Sequence, residues 1–228
     1  MLKTSVIVAN HGRDTTQLVN SLPKGVEYIE INQGLERSIQ RNMAIKKATG
    51  DIILWLDSDQ SLSPGVVKEC EDLISLGYSA IYIPEVIVAD SFFGKIRAFE
   101  RTFYTGTYID VPKAVLRKKC PLFDENMSGP EDADFSQRIS GLRATTKRVL
   151  YHNDDTPFLL YCRKKAYYTK SMRLYAKKWP QDKCLNLKYR CWDVFVEKGK
   201  WRKLLCHPVL SLGVLFLLIV RGIIYAKR

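Results

Sequence analysis

Cysteines at zinc-ligand spacing are missing from this sequence. The six present, at positions 70, 120, 162, 184, 191 and 206, form no closely spaced pair, which excludes the common structural zinc frameworks and predicts reduced thiols in a cytosolic setting. A long apolar run is missing from the amino terminus. In "MLKTSVIVAN" the apolar stretch is too short for the core of a secretory signal and leads straight into a strand-like segment, so nothing there directs the chain to secretion. Acidic residues are scarce beyond residue 142. Residues 143 to 228 hold 5 Asp and Glu against 20 Lys and Arg, whereas residues 1 to 142 hold 19 against 16. The formal net charge of +12 therefore divides into +15 and −3. That asymmetry points to nucleic acid or an anionic membrane surface as partner of the basic part.

Apolar residues are not in short supply. With 46% hydrophobic residues in 228, the chain can bury a core, its length suggests one domain with an appendage, and disorder is excluded. "TSVIVA" (4 to 9) predicts a strand ending at the turn formers Asn10, His11 and Gly12. "VEYIEI" predicts a second, and 36 to 48 a helix burying Ile39 and Met43, stopped by Gly50. "DIILWLD" follows, apolar on both faces like an interior parallel strand. Ser63 and Pro64 suit the cap and first position of a helix running to about Leu76. Alternating strands and helices predict an α/β domain with a parallel sheet.

The apolar strand stops at two carboxylates, Asp57 and Asp59. Ligands of open α/β sheets bind beyond the carboxyl ends of strands, and two acids spaced for one strand face can share a divalent cation. Hard oxygen ligands suit Mg2+ or Mn2+, which commonly bridge to substrate phosphates. Taken alone, such a pair is more often a pair of solvated loop acids. A second cluster stands in "FDENMSGPEDADFSQRISG", where Glu131, Asp132 and Asp134 open a predicted helix ending at Gly141. Acids in a first turn also complement the helix dipole. Two acidic sites on one small domain fit metal binding at one and proton transfer at the other.

The ordered set "SVIVAN", "RNMAIKKATGDIILWLDSD" and "FDENMSGPEDADFSQRI" resembles the family-2 glycosyltransferases of GT-A fold. Their pattern has Arg-Asn in the helix, Ala-x-Gly-Asp before the strand, Asp-x-Asp, then Phe-Asp-Glu and Glu-Asp. The likeness covers roughly residues 4 to 152. It implies a GT-A, Rossmann-like catalytic domain over residues 1 to 155, followed by a basic helical extension over 156 to 228. By resemblance, Asp57 and Asp59 hold the metal and the donor diphosphate, with Asp57 also near the ribose. Asp132, beside Glu131, is the base that deprotonates the acceptor hydroxyl. Arg41 lies beside the donor nucleotide, Asn10 ends the first strand at the donor side, and His152 corresponds to a histidine completing the metal shell in some members, although a lone histidine at a strand end also has a structural reading. Two departures stand out. "EINQG" puts Asn32 where the family usually has an acid that meets the nucleotide base, and "ANHGRD" lacks the usual tyrosine.

Beyond His152, "PFLLYCRKKAYYTKSMRLYAKKWP" predicts a long helix stopped by Pro180. Tyr161, Tyr168, Met172, Tyr175 and Trp179 fall within about 60° of its wheel, opposite Arg163, Lys170, Arg173 and Lys177. Such a stripe faces either the protein core or, in an interfacial helix, the lipid. The last segment runs 13 residues without charge from Pro208 to Val220, or 19 through Ala226 with Arg221 inside. It predicts a membrane element over about 204 to 226, interfacial or nearly long enough to span. The flanking Lys198, Lys200, Arg202 and Lys203 place the catalytic domain on the cytoplasmic side. With no recognition module visible, nucleic acid is not the expected partner. Related members with such helices work on lipid-linked acceptors, so the resemblance implies a membrane-associated enzyme that moves a sugar from a nucleotide-diphospho-sugar to a lipid-linked or glycan acceptor, with inversion.

Two other readings compete. Haloacid-dehalogenase-type phosphatases also place Asp-x-Asp after an apolar strand, and "DSDQSL" with Lys147, Asp154 and Asp155 fits them; their nucleophile strand, however, usually opens the domain. A non-catalytic membrane-bound glycan-binding or scaffold protein is the other, supported by Asn32.

Overall fold

Runs of β-branched and aliphatic residues bounded by turn formers build the strands that carry the site. In the computed structural model, which describes residues 2–226, β1 (Thr4–Ala9), α1 (Thr16–Ser21), β2 (Glu27–Ile31), α2 (Arg37–Lys47) and β3 (Ile52–Asp57) alternate as expected. β1 pairs in parallel with both β2 and β3, in a register that sets Ala9 beside Asp57. Residues 52 to 56 of β3 are wholly buried, and successive side chains serve opposite layers. Ile52, Leu54 and Leu56 pack with Val66, Val67 and Cys70; Ile53 and Trp55 pack with Ala44, Phe123 and Phe135.

The rest of the domain is built from short pieces: β4 (Gln60–Leu62), α3 (Val66–Ser75), β5 (Ala80–Tyr82), β6 (Glu85–Val88), α4 (Phe92–Arg101), β7 (Ala114–Leu116), α5 (Glu131–Gln137), β8 (Arg143–Thr145) and β9 (Leu150–Asn153). They complete a six-stranded sheet of order β2-β1-β3-β7-β5-β8 and a three-stranded sheet of order β4-β9-β6. The large sheet is mixed, which corrects the expectation of a parallel one. β7 runs antiparallel to both β3 and β5, because β6 and α4 divert the chain out of this sheet and it re-enters at the end where β3 leaves. α3 starts two residues later than expected, capped by Gly65 in the left-handed region at φ 83° instead of by Ser63. α5 stops before Gly141, since the Arg143 guanidinium donates to the carbonyls of Ser136 (2.6 Å) and Ile139 (3.3 Å) that a longer helix would use.

The carboxyl-terminal part is helical: α6 (Phe158–Lys178), a single turn α7 (Val194–Val196), α8 (Trp201–Cys206) and α9 (Pro208–Ala226). Residues 227 and 228 of the expected extension lie outside the described residues. The aromatic stripe of α6 faces protein, not lipid. Tyr161 and Tyr175 are buried, the Tyr175 hydroxyl donates to Asp182, and Trp179 Nε1 donates to Asp134 (2.9 Å). A third apolar cluster joins Ile96 and Phe99 of α4 to Phe103, Tyr161, Val214 and Leu217. Gly213 lets α9 come close, for a Cβ there would lie 2.5 Å from Cδ1 of Ile96. Arg221 pairs with Glu100 of α4. The other face of α9 exposes Leu212, Leu215, Phe216, Ile219 and Ile223.

This two-sided packing is testable within one helix. Leu217→Ala, at a fully buried position, should lower unfolding free energy by about 2–5 kcal/mol. Ile219→Ala, on the exposed face, should change it by less than about 0.5 kcal/mol. Urea unfolding in mild detergent measures both; equal, small effects would mean that α9 does not dock on α4.

Candidate active site

The turn after β3 brings the opening acids together. The Asp57 amide N–H donates to the buried Gln60 side chain (3.0 Å), and the Asp59 carbonyl accepts from Asn153 N–H (3.0 Å). The second bond, with Gln60 registered opposite His152, delivers His152 to Asp59. Its Nε2 lies 3.2 Å from Asp59 Oδ1, while Nδ1 pairs with Glu85. Arg13, from the loop after β1, pairs with the other Asp59 oxygen.

Asp57 faces a different set of groups. Arg41, fully buried, reaches Asp57 Oδ1 with Nη2 and Asp132 Oδ1 with Nη1, both at 2.7 Å. Its guanidinium lies over the rings of Trp55 and Phe123, 4.4 and 5.0 Å from their centroids, where ring faces attract cations. One residue on, Asn42 donates to and accepts from the Phe123 backbone (2.9 and 2.7 Å) and donates to Glu125 (2.8 Å). The Arg-Asn pair thus fastens the loop before α5 to α2. Phe123 stacks on Phe135 with centroids 4.2 Å apart. One helical turn before Arg41, Arg37 holds Glu131 at 2.9 Å, and Glu131 also accepts from Gly129 N–H. Lys113 completes the set, 3.7 Å from Asp57 Oδ2 and 3.6 Å from the Trp55 centroid.

Opposed charges set the protonation states. Burial disfavours the Asp57 carboxylate, but Lys113, Arg41 and Arg37 outweigh it and hold its pKa well below the usual range. Burial likewise opposes a charged His152 ring, yet Asp59 and Glu85 raise its pKa to about 10. Glu85 is pushed up by burial and brought down to about 2 by Arg101 and His152. Glu131 is raised, by burial and by Asp132 beside it.

Among the expected site residues, Asp57, Asp59 and His152 line one cavity of about 320 Å³, together with Arg13, Arg37 and Lys165. Asp132 lines a second cavity of about 540 Å³, and Tyr168 and Lys165 belong to the walls of both. Asp132 Oδ2 has no hydrogen-bond partner among the described residues. Glu131 is buried beneath Asp132 and lines neither cavity. Asn10 is also buried, its amide donating to Glu30 (2.7 Å) and to the Arg13 carbonyl (2.8 Å) while its oxygen accepts from His11 and Arg13 N–H. Asn32 is exposed and accepts from Gly12 N–H (3.2 Å).

Arg13, Arg37, Glu85, Lys113 and Lys165 were not read from the sequence. Arg37 had a signal, four residues before Arg41 on the same helix face. Lys113 had none, because its approach to Asp57 depends on the direction of β7.

The residues fit a divalent cation in part. Among the described residues no group of three or more His, Cys, Asp or Glu forms a ready shell. Asp59 and His152 do present an oxygen and a nitrogen to the same space, with Nδ1 of the imidazole oriented by Glu85 as in many metal sites. Such a pair suits Mn2+ or Mg2+ that takes its remaining ligands from phosphate and water. Both oxygens of Asp59 are engaged, by His152 and by the exposed Arg13, which an entering cation would displace; those of Asp57 are held by the buried Arg41 and Lys113.

Residues 2–129, more than half of the chain, match the family described as Glycosyl transferase family 2. The chain belongs to glycosyl transferase family 2. It is a glycosyltransferase, and the phosphatase reading falls. None of the curated proteins matches it in sequence. Solved structures of TarS from S. aureus are similar in fold. TarS itself aligns at TM-score 0.52 and 15% identity over 75% of this chain and 39% of that one. The TarS 1-349 structure aligns at TM-score 0.51 and 13% identity over 99% of this chain and 91% of that one, and so does its complex with UDP-GlcNAc. The match spans about 39% of the first of these TarS chains. The shared architecture is the GT-A fold, here with a helical extension that carries an apolar carboxyl-terminal helix.

The Arg41 bridge makes a sharp prediction for this glycosyltransferase. Arg41→Met leaves Asp57 and Asp132 without their shared buried partner and should cost about 3–5 kcal/mol of stability. Arg41→Lys should recover little, since one ammonium cannot hold two carboxylates in a planar fork. Urea unfolding of both variants measures this, and a wild-type midpoint for Arg41→Lys would show that charge alone is required.

Proposed function

We propose that the protein transfers a sugar from a nucleotide-diphospho-sugar to an acceptor hydroxyl, with inversion, at a membrane surface. The observation that carries this reading is the position of Asp132. It is tied through Arg41 to the Asp57 wall of one cavity while lining the other, so a base stands where two substrates would meet.

The first cavity suits the donor. Arg13, Arg37 and Lys164 on its walls offer charge to a diphosphate, beside Asp59 and His152. The complexes of TarS with UDP and UDP-GlcNAc support a donor of this class. Asp57, Arg41 and Asn32 are assigned to the nucleoside side, while Asn10 acts through the loop it braces. A divalent cation, Mn2+ or Mg2+, at Asp59 and His152 would neutralise charge on the departing diphosphate. The acceptor oxygen forms its bond to the anomeric carbon from the face opposite the leaving group. The bond from that carbon to the diphosphate oxygen breaks, and the electron pair leaves with the nucleoside diphosphate. The acceptor proton goes to Asp132 Oδ2, while Arg41 keeps Oδ1 oriented. Glu131, locked by Arg37 and Gly129, positions Asp132.

α9 supports the membrane location. It is long and apolar enough to cross a bilayer, with mean hydropathy 2.3, yet one side is packed on α4. A helix docked in this way fits in-plane association, its exposed apolar face in the lipid and Lys198, Arg202 and Lys203 near headgroups. The same basic flank supports a cytoplasmic catalytic domain.

Two experiments test this reading. Asp132→Asn should leave nucleotide-sugar binding within about threefold and lower transfer by about 10²–10⁴, whereas Asp59→Asn should weaken Mn2+ and donor binding together. Equal loss of donor affinity in both variants would contradict the division of roles, and slow Mn2+-dependent donor hydrolysis by the wild type separates an enzyme from a scaffold.

For the membrane, the double change Leu212→Glu and Phe216→Glu should abolish sedimentation with phosphatidylserine-containing vesicles while leaving donor hydrolysis unchanged. Undiminished sedimentation would exclude α9 as the contact.

A further inference from the structure

Tyr168 lines three cavities at once: that of Asp57, Asp59 and His152, that of Asp132, and a more open one of about 580 Å³ whose walls include His11, Leu35 and Arg163. No other described residue borders all three, and only Lys165 joins it in bordering the first two. The helix around it is pinned at two points. The Tyr167 hydroxyl donates to Glu36 (3.0 Å), and Ser171 Oγ accepts from Ser128 N–H (3.0 Å), so α6 is fastened both to the start of α2 and to the turn before α5. Arg37 donates to the Tyr168 hydroxyl (3.4 Å). Gly129 abuts the side chain, for a Cβ there would lie 2.5 Å from Cβ and 2.6 Å from Cγ of Tyr168, and its φ of 106° favours glycine. The turn that presents Asp132 is closed against this tyrosine. Tyr161 and Tyr175 of the same stripe are buried, whereas Tyr168 is half-buried.

In-line transfer restricts where the sugar can stand. Its anomeric carbon lies between the diphosphate oxygen that leaves and the acceptor oxygen that attacks, hence between the cavity assigned to the diphosphate and the one that contains Asp132. The two side chains common to those walls are an ammonium and a phenol ring. Lys165 offers charge, which suits phosphate. The ring offers a flat apolar face, which suits the C–H side of a sugar while the sugar hydroxyls keep to polar groups. We propose that Tyr168 is the platform on which the donor sugar stacks, so that it reads the transferred group and not the nucleotide. The proposal rests on the transferase reading and adds a specificity-determining residue to it. Because Gly129, Arg37 and the two fastenings of α6 already hold the ring, stacking requires little further ordering. Tyr168 lies beyond residue 129, where the family match ends, so the helical extension contributes this contact.

The experiment measures binding to the full chain in nonionic detergent with Mn2+, each nucleotide-sugar being paired with its bare nucleotide. The pairs are UDP-GlcNAc and UDP-glucose against UDP, GDP-mannose against GDP, dTDP-rhamnose against dTDP, ADP-glucose against ADP and CDP-glucose against CDP. For the pair that binds, Tyr168→Ala should weaken the nucleotide-sugar about tenfold and leave the bare nucleotide within about threefold. Tyr168→Phe should keep wild-type affinity for both, since the flat face survives without the hydroxyl. Tyr168→Leu, which fills similar space with no flat face, should behave like Tyr168→Ala. Retained binding of the bare nucleotide shows that a variant is folded, and if Tyr168→Ala unfolds, the contrast between Phe and Leu decides alike. Equal weakening of nucleotide-sugar and bare nucleotide overturns the proposal, because Tyr168 would then only support the nucleotide site. Full affinity for the nucleotide-sugar in Tyr168→Leu overturns it too, because the ring would then only fill space. If nucleotides bind and neither Ala nor Leu affects the nucleotide-sugar, the platform falls and the transferase reading stands. If no nucleotide binds the wild type, both fall.

Discussion

A fully buried guanidinium organises this active site. Taking Arg41 out of water without partners would be prohibitive, and the chain answers with two carboxylates at 2.7 Å and two aromatic faces. Because the fork is planar, the two acids cannot move independently. Asp57 ends β3 and Asp132 opens α5, so one side chain of α2 fixes the strand and the helix with respect to each other. The spacing between the donor side and the acceptor side is thereby a property of the core, not of loops. Asn42 reinforces it from the next position by holding the Phe123 backbone, and Phe123 in turn roofs the guanidinium.

The remaining cations follow from that constraint. Asp57 is kept ionised by Lys113 and Arg41 despite burial, and Lys113 reaches it because β7 enters the sheet antiparallel, at the end where β3 finishes. Arg37 compensates Glu131 beneath the catalytic turn. α6 adds Lys164 and Lys165 from above. Part of the excess positive charge of the carboxyl-terminal segment therefore faces inward, onto the two cavities, and only part faces outward. A count of basic residues cannot separate these two placements.

Legibility from the sequence depended on how local each feature was. Asp57 and Asp59 were readable because a doubly buried strand must be a continuous apolar run, and its end is marked by the first charges. α2 and its Arg-Asn pair were readable from helical spacing and ordered motifs. Of the strands of three or four residues, β9 was read, ending near His152, but β4 to β8 were not, since they carry too few residues for a period to show. Glu85 was lost with β6, and Lys113 with the direction of β7. The stripe on α6 was visible, but its destination was not. A row of tyrosines has the same period whether it meets protein or lipid, and only the docking of Tyr161 and Tyr175 decides for protein. Asn10 and Asn32 directly follow β1 and β2, and the structure gives Asn10 a bracing role within its loop.

α9 poses the complementary problem of a helix apolar on every side. Composition alone describes it as a membrane span, yet Val214 and Leu217 are committed to α4, and Arg221 is neutralised by Glu100 on that same face. An ion pair on the docked face lets the helix keep a charge while its opposite face stays wholly apolar. What remains is a stripe at 212, 216, 219 and 223, spaced by three and four residues. A stripe of that width can lie in a bilayer surface without dragging the α/β domain with it. The same helix ends at the wall of the cavity that contains Asp132, so α9 and the carboxylate proposed as base belong to one packed body. On the proposed membrane reading, the depth at which α9 rests would set the height of that carboxylate above the lipid, a distance fixed by the packing of α9 on α4.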